Sequence, residues 1–141
     1  MKIKSVSINE VRYITHRLAQ EMLEWKEPIP DFNSRFPHIL ESCLAVPFQT
    51  FDKKLLYKGF LDKASILLYL MIKNHPFENG NKRIAITTLF YFLFKNKRWM
   101  KIDNQELYNF TVWIAESNPK LKDEVIAAIK KFIVTYLVTL K

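Results

Sequence analysis

An all-α bundle is the fold this chain predicts, and three observations carry the prediction. No run of residues alternates apolar and polar between turn dipeptides in the manner of half-buried strands. Only two glycines interrupt the chain of 141 residues. Apolar residues recur at spacings of three and four, most plainly at Val125, Ile126, Ile129, Phe132, Ile133, Tyr136 and Leu137, the stripe of a helix with one packed face. With no internal repeat and no low-complexity stretch, residues 1–141 read as a single compact domain long enough to bury a core.

The elements follow in order. Ser7-Ile8-Asn9-Glu10 is a capping box that opens a helix to about Glu24, with His16 in its middle as a surface or half-buried residue. Pro28 to Asn33, containing Pro30 and Asp31, makes a loop. A second helix runs from Ser34 to about Ala45, with Pro37 tolerated in its first turn. Val46-Pro47-Phe48-Gln49-Thr50-Phe51 is too short for a helix and favours extended chain. It reads as a connector with Phe48 and Phe51 packed inward.

Helices around Leu55–Lys73 and Asn81–Asn96 form a central hairpin, the second so apolar that it belongs in the core. Asp103-Asn104-Gln105-Glu106 starts another helix, and Asn118-Pro119 caps a last one that runs to the C-terminus. Trp99, Tyr108, Phe110 and Trp113 read as core aromatics. Lys130 and Lys131 interrupt the final apolar stripe, so it reads as packing surface and not as a membrane span.

Net charge is +8, from 22 Lys and Arg against 14 Asp and Glu. That balance suits an acidic protein, a nucleotide or a nucleic acid and selects none of them. The basic residues are scattered and not gathered on one helix face, so nucleic acid is not the expected direct ligand. Cys43 is the single cysteine, which excludes an intramolecular disulfide and leaves buried packing as its role. No Cys/His spacing suits zinc, and His16 and His38 have no matching partners. Met1-Lys2-Ile3-Lys4 is followed by no long apolar run, so no secretory signal is read and cytoplasmic residence is expected.

The chemistry concentrates in His75-Pro76-Phe77-Glu78-Asn79-Gly80-Asn81-Lys82-Arg83, between the two central helices. A loop that feeds a helix faces outward with backbone N–H groups and the positive end of the macrodipole, which favours an anion. Gly80 lets the backbone turn and approach a ligand. Asn81 is placed to cap the second helix or to donate to a phosphate oxygen, Lys82 offers a mobile charge, and Arg83 a planar fork. His75 is placed to remove a proton from a hydroxyl near neutral pH. Phe77 reads as a core anchor for the loop. Singly, each residue has a structural explanation as a cap, a solvated pair or a packing ring; the joint spacing is what points to phosphate.

The segment resembles the signature of the Fic/Doc family, H-P-F-x-[D/E]-G-N-[G/K]-R, with Glu78 at the free position. The similarity extends from about the second helix to the Trp99 segment, including the Lys-Asn-Lys turn. The resemblance implies a Fic/Doc-type helical bundle in which the motif transfers part of a nucleotide onto a protein hydroxyl. It implies His75 as the general base, Gly80 and Asn81 in an anion nest, Arg83 on the nucleotide phosphates, and ATP and Mg²⁺ as cofactors. It also makes the 46–51 segment a flap that pairs with the target by strand addition.

Lys82 is the informative choice within that resemblance. The AMP-transferring branch generally has Gly there and a second Arg three residues after the first, where this chain has Ile86. Both features resemble the death-on-curing toxins, which bind ATP reversed and transfer its γ-phosphate to a Ser or Thr hydroxyl, by analogy on a translation factor such as elongation factor Tu. A Lys in place of Gly fills a pyrophosphate cradle with charge, and losing an Arg removes a clamp on the far phosphates.

One position departs from the pattern. The family's metal-binding Asp or Glu is Asn79 here, and a neutral amide is a poor substitute for a carboxylate toward a hard dication. Adjacent loop residues usually point in different directions, so Glu78 is not expected to replace it. Two alternatives therefore stand beside kinase activity: AMP transfer, and a catalytically silent binding domain. The resemblance further implies neutralisation by an acidic antitoxin whose disordered segment folds into a groove. No [S/T]-x-x-x-E-[G/N] inhibitory helix motif occurs in the chain, so restraint is expected from another chain.

Overall fold

Ser7 opens the first helix as the capping box predicts. Its Oγ accepts the Glu10 N–H at 3.1 Å, and the Glu10 carboxylate accepts the Ser7 N–H at 3.0 Å. This helix, α1 (Ile8–Glu10), passes into a π-helical turn over Val11–Thr15, and residues 17–19 are again helical. The structure, a computed structural model, describes residues 2–15, 17–19 and 31–141. His16, the expected helix end near Glu24 and most of the Pro28–Asn33 loop lie outside the described residues.

Asp31 Oδ1 accepts the Asn33 N–H at 2.9 Å and sets a 3₁₀ turn over Phe32–Ser34. The second helix therefore begins later than Ser34, as α2 (Pro37–Ala45). Pro37 holds Phe36 in an extended conformation (φ −96°, ψ 100°) and itself takes the first helical position, where a missing N–H removes nothing from the ladder.

Beyond a 3₁₀ turn at Val46–Phe48 come two short strands, β1 (Thr50–Phe51) and β2 (Lys54–Leu55), paired antiparallel with Thr50 opposite Leu55. Between them Asp52 and Lys53 both have positive φ, 51° and 65°, the twist a two-residue hairpin connection requires. Leu55 is thus strand and not the start of a helix. The central helix α3 (Phe60–Lys73) starts only after Gly59, whose N–H donates to the Asp62 carboxylate at 3.3 Å. Of the two phenylalanines expected to pack inward, Phe48 does so edge-on against Phe92, while Phe51 is 74% exposed.

Packed against α3 is α4 (Asn81–Lys95), buried at nearly every position as its composition demands. Lys97 (φ 62°) then turns the chain into β3 (Arg98–Met100). Asp103 caps α5 (Asn104–Glu116) by accepting the Gln105 and Glu106 N–H groups. Asn118 starts a 3₁₀ turn at Pro119–Leu121 that leads into α6 (Lys122–Tyr136).

The last helix does not reach the C-terminus. It ends at Tyr136, and β4 (Leu137–Thr139) pairs antiparallel with β3, Val138 opposite Trp99. Val138 and Thr139 are β-branched, and β3 offers them an edge that a longer helix would leave unpaired.

The core lies between α3, α4 and α6, with Ile66, Met71, Ile84, Leu89, Ile129 and Ile133 fully buried. Phe110 stacks on Phe132 at 3.8 Å, and Trp99 packs on Phe90 at 4.7 Å. Trp113, expected in the core, is 48% exposed and only stacks on Phe110 from outside. Cys43 is fully buried, and burial pushes its thiol up to about 12.

At its C-terminal end α4 is tied to the N-terminal segment. Asn96 exchanges hydrogen bonds with the Lys4 backbone, and Glu10 accepts from Lys95 Nζ at 2.8 Å and Tyr91 Oη at 2.5 Å. Burial works against the Glu10 charge, but the bonds from Lys95, Tyr91 and the Ser7 backbone outweigh it and hold the carboxyl down to about 2. No helix among the described residues is long and apolar enough to cross a membrane.

Candidate active site

The loop between α3 and α4 is built from two buried anchors with exposed residues before and between them. Asn74 ends α3, its N–H donating to the Leu70 carbonyl at 2.9 Å. His75 follows at φ 48°, in the left-handed region. That region is uncommon for a side-chain-bearing residue, and a following proline restricts the backbone further. Tertiary contacts hold it there: the Pro76 carbonyl accepts the Phe36 N–H at 2.8 Å, and the Phe77 ring is buried against Phe32 at 6.1 Å.

Asn81 closes the loop from the other side. Its Oδ1 accepts the Phe77 N–H and its Nδ2 donates to the Phe77 carbonyl, both at 2.9 Å. It therefore clamps the loop instead of capping α4; the cap is Gly80, at φ 70°, ψ 16°. The two-way bond with Phe77 also fixes which end of the amide faces His75. That end is the donor, 3.4 Å from His75 Nδ1, so a neutral imidazole in this setting offers Nδ1 as acceptor and carries its proton on Nε2.

A cavity of about 330 Å³ opens at the start of α4, at the small end of the range for ligand pockets. His75, Gly80, Asn81 and Lys82 line it together with Glu78 and Asn79, while Ile72 and Ala115 supply its apolar wall. Ala115 is held there because Lys73 Nζ donates to the Ala115 and Ser117 carbonyls at 3.1 and 2.7 Å, closing the C-terminal end of α5. The cavity thus gathers an imidazole, a cation and the opening turn of a helix around one small space.

Two expected residues stand apart from that space. Phe77 lies beneath the loop. Arg83 is 8% exposed and donates to the Ala19 carbonyl, which joins α4 to the N-terminal helical segment and leaves the guanidinium off the cavity wall. Ile86, three residues on, is fully buried.

Sequence reasoning missed Glu78, which lines the cavity beside Asn79 although adjacent loop residues usually diverge. The signal was present as a carboxylate next to the motif's acidic position. Ala115 was also missed, and no local pattern marks it, because α5 reaches the site only through the fold. Among the described residues no three His, Cys, Asp or Glu side chains gather into a metal cage. Glu78 and Asn79 nonetheless bring oxygen donors to the wall, a set that fits an ion held mainly by phosphates and water, as Mg²⁺ usually is.

An imidazole thus stands beside an anion-suited helix start on an α-helical scaffold. The Fic/DOC family model matches residues 5–93, from the capping box to the last turn of α4, and the chain belongs to that family. Domains of the family generally transfer nucleotide-derived groups to proteins and use ATP and Mg²⁺. No curated protein and no solved structure matches the chain significantly.

Proposed function

We propose that this chain is a single-domain protein kinase of the death-on-curing type, which moves the γ-phosphate of ATP to a Ser or Thr hydroxyl of a target protein. The observation that carries the reading is Lys82 on the cavity wall beside His75, combined with Ile86 in the core. A cation occupies the place where the AMP-transferring branch has Gly, and a fully buried isoleucine cannot act as that branch's second phosphate clamp.

In this mechanism the His75 imidazole accepts the hydroxyl proton as the oxygen forms its bond to the γ-phosphorus. The bond from that phosphorus to the β–γ bridging oxygen breaks, and ADP leaves. Lys82 and the backbone N–H groups of the first turn of α4 offset the charge that develops. The Asn81 side chain, committed to Phe77, keeps the imidazole in place, and Arg83 contributes by fixing the start of α4. Mg²⁺, when bound with ATP, neutralises phosphate charge.

The net charge of +8 favours acidic partners, both for the target, a cytoplasmic translation factor such as elongation factor Tu, and for an antitoxin segment that restrains the enzyme. The exposed β1–β2 hairpin is the edge on which a target strand docks.

The test is a transfer assay in bacterial lysate with Mg²⁺, comparing ATP labelled on the γ-phosphate with ATP labelled on the α-phosphate. Label from γ alone, lost in His75→Ala, is the expected result. Label from α would replace the kinase with an AMP transferase, and no label in any protein band would favour a silent binding domain.

A further inference from the structure

We infer that Glu78, at the position the motif leaves free, supplies the carboxylate for a nucleotide-bound divalent cation in place of Asn79. The inference rests on the phosphotransfer reading above, because it assigns ligand chemistry to the same cavity.

Asn81 binds both the N–H and the carbonyl of Phe77, and Gly80, with its left-handed backbone, is buried next to it. The chain between those anchors consists of Glu78 and Asn79 alone, which are pushed outward as the rim of a closed loop. Both are exposed, and both line the cavity. The usual divergence of neighbouring loop residues is overridden because the loop is too short to turn either one inward.

Chemistry then separates the two. A magnesium ion carried by a nucleotide is usually held through one or two carboxylates in addition to phosphate oxygens and water. Glu78 is the one carboxylate on the cavity wall among the described residues. No hydrogen bond or ion pair among the described residues engages the Glu78 carboxylate or the Asn79 amide, so both oxygen donors are available to a ligand. A carboxylate beside a bound triphosphate repels it unless a cation intervenes. Glu78 is therefore either the cation's ligand or an obstacle to the nucleotide, and a cavity that also presents Lys82 and a helix start to anions is not built to reject one. Asn79 completes the set as a neutral oxygen donor.

The experiment measures the affinity of the full chain for ATP by calorimetry, once with Mn²⁺ and once with EDTA. In the unmodified protein, affinity with Mn²⁺ should exceed affinity with EDTA on the order of tenfold, the scale on which single groups tune metal sites. Glu78→Gln should bring that ratio close to unity without weakening the EDTA affinity, and Asn79→Ala should preserve most of it. Adding Asn79→Asp to Glu78→Gln should restore it. Glu78 is exposed, so circular dichroism of these variants should match the unmodified chain. A ratio that survives Glu78→Gln, or one lost only in Asn79→Ala, overturns the inference while leaving the nucleotide reading intact. So does nucleotide binding that ignores metal in the unmodified protein. Absence of ATP binding under both conditions overturns the phosphotransfer reading itself, and the assignment of Glu78 with it.

Discussion

The motif loop and the β1–β2 hairpin are two short connections beside the same helix, α3, and they are held in opposite ways. The loop has Phe77 1% exposed, a carbonyl bonded to Phe36 just before α2 and an asparagine bonded to both backbone groups of one residue. The hairpin has two-residue strands with all four residues exposed and a phenylalanine at 74% exposure. The proposed phosphoryl transfer needs fixed positions. Strand addition needs an open edge that another chain can complete. The difference is between preorganised and unfinished structure.

Breaking the loop should produce the largest effect. Phe77→Ala removes a buried ring and should cost about 3–5 kcal/mol in a denaturant titration, with transfer activity falling too; a loss below about 1 kcal/mol would mean that the loop is held from elsewhere. Asn81→Ala leaves the Phe77 N–H and carbonyl without their side-chain partner and should cost about 1–3 kcal/mol. It should also release the His75 ring, so that transfer slows even where the protein remains folded.

A third tether sharpens the comparison, because it lies at the opposite end of α4. Glu10 is held at about 2 in the folded chain against an ordinary 4.5. A depressed carboxyl contributes stability that is fully present above its unfolded pKa and is lost as pH falls through the folded one. Thermal stability of the unmodified chain should therefore decline between these two values more steeply than that of Glu10→Gln, and parallel curves would remove Glu10 as a tether.

The hairpin should give the smallest stability effect. Phe51→Ala should change unfolding free energy by less than about 0.5 kcal/mol, yet raise KM for the protein target while leaving KM for ATP alone. A marked fall in Tm would show that the hairpin is part of the core after all.

Much of the fold was legible because its signals are local. The Ser7 capping box, the Asp103 cap and the buried composition of α4 each act within a turn or two of helix. The misplaced boundaries share one cause. Ser34 and Leu55 look compatible with helix by propensity, but Asp31 draws the first into a 3₁₀ turn and strand pairing takes the second. Tyr136 ends its helix because β3 lies across the fold, ready to pair with residues 137–139. Trp113 reads as core by type and sits outside because α5 turns that face to solvent.

For the site, the sequence alone determined which groups are neighbours: an imidazole, a glycine, an amide and a cation fall within nine residues, across one loop and the first turn of α4. Tertiary structure decided where each one faces. Arg83 went to the carbonyl of Ala19, Asn81 turned back onto Phe77, and Glu78 came to the cavity wall beside Asn79. Spacing limits distance along the chain, whereas direction is set by which backbone groups remain to be bonded and which rings must be buried, and those partners come from α2, α5 and the N-terminal helix.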